Sequence, residues 1–562
     1  MIRESLWSVV KFLLDKVVLR LVARSVRRNL LAFEAATQDP FAVQQAVLFD
    51  ILRHQANTGF GKDHAFATIR SVEEFRRILP VRGYEAIEPY IQRVRKGETN
   101  ALLADPRVHM FAMTSGTTST RKFIPVTDRY LEDYKRSWNI WGLKVFLDHP
   151  DLRLRPIVQM AGDPDEFRSE SGVPCGAVTG LTAKMQKRIV RFMYCIPAAM
   201  ARLKDPQAKY YAALRLSVPR EVSLLIAANP STMLNLARTG EMHKERLIRD
   251  IYDGTLSGYE YPPEFRAAVQ GRLRADRAVA RKLEAIVEAT GHLYPKDYWT
   301  RGFLMGNWTG GSVGAYLQHY PRYFGDNPVR DVGLIASEGR MTIPLEDGTS
   351  SGVLDITSHY FEFLPESEAD SPNPTVLAAH ELVEGGRYFI LLTTAYGLYR
   401  YHIHDLVRCT GFYNQTPLIE FLSKGANFSN LTGEKLSEYQ VTHCVAQILR
   451  ELNASLGTYS LAPLWPDREE ATPAYGLFVE PQDASIASEL VKHLEIKLRQ
   501  INIEYDAKRQ SARLGPVQLQ LVPAGFWSHW DAERLRRTGG TLEQYKHPCL
   551  IGDLEFARRS RA

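Results

Sequence analysis

Between Val108 and Ala336 short apolar runs alternate with long helical segments, and this alternation restricts the chain to an α/β fold more firmly than any other feature of it. The strand-like runs are Val108 to Met113, Lys122 to Val126, Pro156 to Met160, Val222 to Ala227 and Val332 to Ala336. Apolar residues at helical spacing predict helices over Arg129 to Leu147 and over Pro263 to Thr290. Ahead of Val108 the chain reads as helices with clear starts. Asp39 followed by Pro40 is an N-cap with an N1 proline, opening a helix that runs towards Gly59, and Ser71 with Glu74 forms a capping box.

From Val353 to about Leu422 the pattern turns β-rich, with runs such as LDITSHYFEF, RYFILLTTAYG and PLIEFLS between Gly, Pro and acidic turns, as in a barrel or an antiparallel sheet. After the small, polar stretch GANFSNLTGEK, helices at about Ser437 to Leu452 and Ile486 to Ile503 alternate with strands near Gly476 and Val517. This predicts a large N-terminal domain over residues 1–423, a hinge over 424–435 and a compact, mobile α+β domain over 436–562. The 562 residues suffice for several cores. With 45% hydrophobic and 24% charged residues, the composition excludes a disordered, collagenous or coiled-coil chain.

Seventy Lys and Arg against 64 Asp and Glu leave a net charge of +6, too small over this length to require a nucleic-acid partner. Cys175, Cys195, Cys409, Cys444 and Cys549 form no CxxC pair, which fits free thiols in a reducing, cytoplasmic compartment. The apolar segment from Ser5 to Val26 is interrupted by Lys11, Asp15, Lys16, Arg20 and Arg24, which excludes a spanning helix and a signal peptide. It reads as an amphipathic helix docked on the protein's own core, with contact to a membrane surface as the alternative.

Several clusters have the composition of a chemical site. Thr114, Ser115, Gly116, Thr117, Thr118, Ser119 and Thr120, closed by Arg121 and Lys122, offer unhindered backbone N–H groups and hydroxyls of the kind polyphosphate binding needs, or else form a solvated turn. Arg121 and Phe123 stand where a Walker loop requires Gly and Ser or Thr, which argues against a P-loop NTPase. GGSVG, Gly310 to Gly314, matches a nucleophile elbow with Ser312 as nucleophile and Asp355 or Asp405 with His547 as partners; alternatively it is a turn where backbone approaches a ligand. In YRYHIHD, His402 and His404 share a strand face and suggest a metal site or a capping pair, and Asp405 suits ribose hydroxyls or a turn. Glu338 would hold Mg²⁺ beside phosphates or be an exposed loop residue, and Tyr360 would stack on adenine or pack in the core. Lys435 and Lys546 lie in polar loops, where most lysines are solvated.

TSGTTSTRK, ASEGR, YFEFLP, TTAYGLYRYHIHD with RCTGFYN, and EQYKHP occur in one order. Together they resemble the auxin-responsive (Gretchen Hagen type) acyl-acid amido synthetases of plants and their bacterial relatives, within the adenylate-forming superfamily. The resemblance runs from about Thr58 to Leu550. It implies that Thr114, Ser115, Gly116, Thr117 and Thr118 hold the ATP phosphates with Lys122 nearby, and that Ser337 and Glu338 contact adenine and Mg²⁺. Tyr360 would stack on the base, Asp405 bind the ribose, Lys435 sit in the hinge, and Lys546 bring charge to the α-phosphate. Gly310, Gly311, Ser312 and Tyr316 would lie by the acyl pocket, which demotes Ser312 to backbone. The chain departs from the family pattern at His402 and His404, where Arg and Gly are usual.

The function this implies is ATP-dependent activation of a small-molecule carboxylic acid and transfer of its acyl group to the amine of an amino acid. Transfer to coenzyme A, or a non-catalytic nucleotide-binding or membrane-surface protein, are the alternatives. Aromatic residues around Trp138, Trp141, Phe303 and Trp308 point to a small to medium apolar or aromatic acid.

Overall fold

The computed structural model describes residues 19–114, 122–184, 193–368, 371, 373–424, 428–466, 471–538 and 547–560. The chain divides into two compact units. One takes in Met1–Met113, Phe123–Gly310 and Tyr320–Phe421; the other takes in Leu422–Ala562 with two short segments, Thr114–Lys122 and Gly311–His319.

In the first unit a parallel sheet orders its strands Ile157–Gln159, Leu224–Ile226, Leu304–Gly306 and Val329–Arg330. The intervening segments are helical, which is what parallel pairing requires of its crossovers. A second sheet has the order Lys122–Thr127, Val108–Thr114, Pro174–Gly176 and Phe167–Arg168. The β-rich stretch forms a seven-stranded antiparallel sheet, one of the two arrangements its sequence allowed, with Tyr360–Pro365, Arg387–Thr393, Tyr401–Tyr413 and Thr416–Lys424 among its strands. Its inward residues, including Phe361, Phe363, Ile390 and Leu392, pack with Leu48, Ile51 and Phe75 from the N-terminal helices.

Helix ends follow the capping chemistry, with corrections. Asp39 caps Pro40–Gln55 by accepting from the Ala42 N–H, but the helix stops at Gln55, because Thr58 caps a separate turn, Gly59–Asp63. Ser71 accepts the Glu74 N–H at 3.1 Å, whereas Glu74 turns back to the Arg70 N–H at 2.7 Å, so only half the box forms. The single helix expected over Pro263 to Thr290 is two, Pro263–Gln270 and Arg277–Thr290; Gly271 ends the first and Asp276 caps the second through the Val279 N–H. The strand expected over Val332 to Ala336 shrinks to Ile335–Ala336. Most of the amphipathic segment from Ser5 to Val26 lies outside the described residues. The helix Leu19–Ala36 continues it, burying Leu30 and Phe33 against Ile140, Trp141 and Val145. No helix of the described residues is long and apolar enough to cross a membrane.

The second unit packs the helices Glu438–Glu451, Ala484–Ile501 and Ile503–Gln510 on a sheet of Tyr459–Leu464, Ala474–Val479 and Gln518–Leu521. Ala487, Leu490, Leu494 and Leu498 form the buried stripe of the long helix at three- and four-residue spacing. Truncating one such leucine to Ala costs about 2–5 kcal/mol. All five cysteines are free thiols.

Candidate active site

Ser337 and Glu338 form the tip of a hairpin in which Ile335–Ala336 pairs antiparallel with Gly339–Arg340. Gly339 has φ +145°, and a Cβ there would stand 2.6 Å from the Tyr396 hydroxyl and 2.8 Å from His359 Nε2, so only glycine fits. Ser337 Oγ donates to the Met113 carbonyl at 3.2 Å, and the Tyr130 hydroxyl donates to the Ser337 carbonyl at 3.2 Å. The tip is thereby tied to the end of the strand that leads into the hydroxyl-rich loop.

Glu338 is 3% exposed. Its Oε1 accepts a long hydrogen bond, 3.4 Å, from the Tyr401 hydroxyl, and its Oε2 has no partner among the described residues. Burial, and then the charge of Glu338, holds the Tyr401 phenol well above its ordinary pKa, so the hydroxyl stays protonated and donates. A buried carboxylate oxygen without a donor is costly unless a cation or ligand completes it. The donor set, one carboxylate free to bind at a polar tip, fits Mg²⁺, which takes one or two carboxylates and draws its other ligands from phosphate and water.

Asp405 reaches its position through a bulge. Phe389 pairs with Leu406 and Leu391 with His402, so Ile403, His404 and Asp405 lie opposite Ile390 alone. His404 makes the turn with φ +63°. Its N–H donates to His402 Nδ1 at 3.0 Å and the two imidazoles stack at 4.0 Å. Histidine is among the side chains that tolerate this backbone region, where a β-branched residue is strained. Bulges of this kind re-aim a side chain beside a functional site. Asp405 itself is buried.

Tyr360 lies in the core with its ring edge-on to Phe75, at 6.0 Å. Two residues on, Glu362 accepts from Arg76 Nε and Arg400 Nε, each at 2.8 Å, and Arg400 Nη1 donates to the Leu79 carbonyl at 2.7 Å. The YFEFLP and YRYHIHD motifs are thus joined by a buried ion pair, whose only sequence signal was a glutamate inside an apolar strand.

In the second unit Lys435 is half-buried with φ +49°, at the end of a loop organised by Glu434. Gly311, with φ +61°, opens the helical turn Gly311–His319, where Tyr316 is buried edge-on against Trp465 at 4.8 Å. Gly310 precedes that turn, and a Cβ there would come 3.1 Å from Ser350 Cβ. Lys122 is buried at the start of its strand. Thr114 ends the preceding strand. Ser115, Gly116, Thr117, Thr118 and Lys546 lie outside the described residues, as does the side chain of Ser312.

Two of the partners nominated for Ser312, Asp355 and His547, are engaged elsewhere. Asp355 accepts from Ser137, from Thr357 at 2.8 Å and from Ser358 at 2.6 Å. His547 stands between Ser460 Oγ and Asp531 Oδ1, at 2.8 Å from each, and Ser460 is fully buried, so this Ser–His–Asp arrangement locks the fold and offers no nucleophile. The first unit also holds three residues the sequence did not single out: Tyr401, Arg340 and Asp133.

Comparison with known proteins places the sequence in a family. The model described as the GH3 family N-terminal domain matches residues 29–329, the GH3 family central domain 352–424 and the GH3 family C-terminal domain 439–555. A jasmonoyl–L-amino acid synthetase of Nicotiana attenuata is 23% identical over 543 residues, covering 92% of each chain. A probable indole-3-acetic acid-amido synthetase of Oryza sativa subsp. japonica is 26% identical over 564 residues, covering 93% of this chain and 88% of the relative. A solved acyl acid amido synthetase in complex with 2,4-DB has the same fold, with a TM-score of 0.66 at 20% identity over 95% of this chain and 96% of that one. The N-terminal match alone spans more than half of the sequence, and the chain belongs to the GH3 family.

Proposed function

We propose that this chain is an ATP-dependent acyl-acid amido synthetase. The observation that carries the reading is the Ser337–Glu338 tip, where a buried carboxylate keeps one oxygen without a donor in a chain whose family relatives are amido synthetases. Glu338 would hold Mg²⁺, which when bound neutralises phosphate charge. In the first half-reaction an oxygen of the substrate carboxylate forms a bond to the α-phosphorus of ATP as the bond to the β-phosphate oxygen breaks, giving an acyl adenylate and pyrophosphate. In the second the amine of an amino acid forms the C–N bond at the acyl carbon, AMP leaves with the C–O electron pair, and the amine loses a proton.

The protein's part is positioning and charge, with no covalent intermediate on a side chain. Thr114 to Thr118 would cradle the phosphates with Lys122, Ser337 and Tyr360 would meet the adenine, and Asp405, re-aimed by its bulge, the ribose hydroxyls. Lys546 would stabilise charge on the α-phosphate during adenylation, with Lys435 in the hinge that changes the C-terminal domain's place between half-reactions. Gly310, Gly311, Ser312 and Tyr316 would border the acyl pocket. The free thiols suit a cytoplasmic enzyme.

Carboxylate-dependent exchange of pyrophosphate into ATP tests the reading. Exchange with one class of acid, lost in Lys546→Ala, is the expected result. The same variant should still form amide from supplied acyl adenylate; equal loss in both half-reactions would take Lys546 out of the adenylation step.

A further inference from the structure

Two residues beyond Glu338 stands a buried cation without a counter-charge. Arg340 is 2% exposed, and no carboxylate of the described residues lies within ion-pair distance of it. Its Nε donates to the Thr342 carbonyl at 3.1 Å, its Nη2 to the Val332 carbonyl at 2.7 Å, and the guanidinium lies 5.1 Å from the centre of the Trp138 ring. Nη1 has no acceptor among the described residues. Arg330 pairs with Asp148 and Asp347 and Arg400 with Glu362, whereas Arg155 and Arg215 are held, like Arg340, by backbone carbonyls. Burial lowers the Arg340 pKa to about 10, which leaves it charged at neutral pH.

Arg340 lines a pocket with Tyr130, Asp133, Tyr134, His359 and Tyr396, whose side chains close on one another without leaving a water-sized space. In the same lining Asp133 Oδ2 has no partner among the described residues. Burial keeps His359 neutral, with a pKa lowered to about 4, and its Nε2 is 3.0 Å from the Tyr396 hydroxyl. One wall is flat: Tyr130, Tyr134 and Trp138 stack along one helix face, at 6.2 and 6.5 Å with interplanar angles of 12° and 14°. Tyr130 also holds the Ser337 carbonyl, so the pocket abuts the tip that carries Glu338. Tyr134 and Trp138 are the half-buried members of that wall.

We infer that Arg340 reads a second anionic oxygen group on the acyl acid, so that the preferred substrates are aromatic carboxylic acids carrying another carboxylate away from the one that is activated. The inference rests on the adenylation reading and narrows its substrate class, from apolar or aromatic acids in general to aromatic diacids. A buried site built to bind a charged group rejects the analogue that lacks it, because its own polar atoms are then left unpaired.

The test compares 4-methylbenzoate with its isostere terephthalate, in pyrophosphate exchange and in titration calorimetry without ATP, using the full chain and the variants R340M and R340K. Wild type should prefer the diacid by about 100-fold in kcat/KM, R340M should abolish or invert that preference, and R340K should restore part of it. Equal use of both acids by wild type overturns the inference, whatever the stability of the variants. An equal loss for both acids in R340M also overturns it, by assigning Arg340 to the activated carboxylate. Diacid-selective binding that R340M erases, without exchange by any acid, would keep the pocket and sink the adenylation reading.

Discussion

Glu338 in the first unit and Glu434 in the second are the same residue type at almost the same burial, 3% and 0% exposed, and they are satisfied in opposite ways. Glu434 accepts from the Leu431 N–H at 2.6 Å, the Thr432 N–H at 2.7 Å, the Thr432 hydroxyl at 2.9 Å and the Tyr475 hydroxyl. Asn502 Nδ2 donates to the Glu434 carbonyl, at 3.0 Å, and to Gln440 Oε1. Every lone pair that needs a donor has one, and the loop that ends in Lys435 is fixed by it. Glu338 has one long bond and one oxygen without a donor among the described residues. A buried charge that the fold completes holds the structure together; one that the fold leaves incomplete is completed by something that binds. The same contrast separates the Ser460–His547–Asp531 arrangement, in which each side chain is engaged, from Arg340, in which one nitrogen is not.

The sharpest break between the two glutamates is the effect of Glu338→Gln. Pyrophosphate exchange should fall by about 100- to 1,000-fold while the melting temperature stays level or rises, because an uncompensated buried charge is removed. A variant that loses stability in proportion to activity would put Glu338 in the same class as Glu434. Glu434→Ala should do the reverse in kind, costing about 3 kcal/mol in urea melts by stranding the Leu431 and Thr432 donors and the Tyr475 hydroxyl. A loss under about 1 kcal/mol would show that the loop is held by its hairpin alone.

His404 probes the backbone of the bulge that precedes Asp405. His404→Val should cost about 1–2 kcal/mol because its backbone is left-handed, whereas His404→Gly should stay within about 1 kcal/mol of wild type. If the bulge sets Asp405, KM for ATP is unchanged in the glycine variant; a rise of about tenfold or more would give the imidazole stack a part in nucleotide binding.

The smallest expected effect is a change of slope. Burial raises the Asp133 carboxyl to about 7, whereas in the unfolded chain it titrates near 3.9. Between those values the folded state binds the extra proton, so this group's contribution to stability is present below about pH 4 and is lost as pH rises to about 7. Asp133→Asn removes that decline. The stability of the variant minus that of wild type should therefore grow between about pH 5 and about pH 7.5 in urea melts. A constant difference would mean that Asp133 is charged and well compensated in the fold.

Much of the architecture was legible because it is written in short-range chemistry. The Asp39–Pro40 start, the Asp128–Asp148 helix after the Thr127 cap, the α/β alternation and the β-rich stretch before Lys424 all follow from capping and from period. The break in the helix before Asp276 was legible too, in Gly271 and in Asp276 itself, but a continuous apolar stripe hid it. The ordered motifs located Glu338, Asp405 and Lys435 and identified the family. What the sequence by itself determined, then, was which residue types recur in which order and which segments turn helical or extended, since propensity, capping and periodicity act over a few residues. Only the tertiary structure decided which charges are left unanswered. Glu362 meets Arg76 and Arg400, Glu434 meets Tyr475, and Arg340 meets Trp138 across separations no local pattern encodes. Whether a buried charge is architecture or a site depends on the donors and acceptors that distant segments bring to it, because desolvation is imposed by the whole fold.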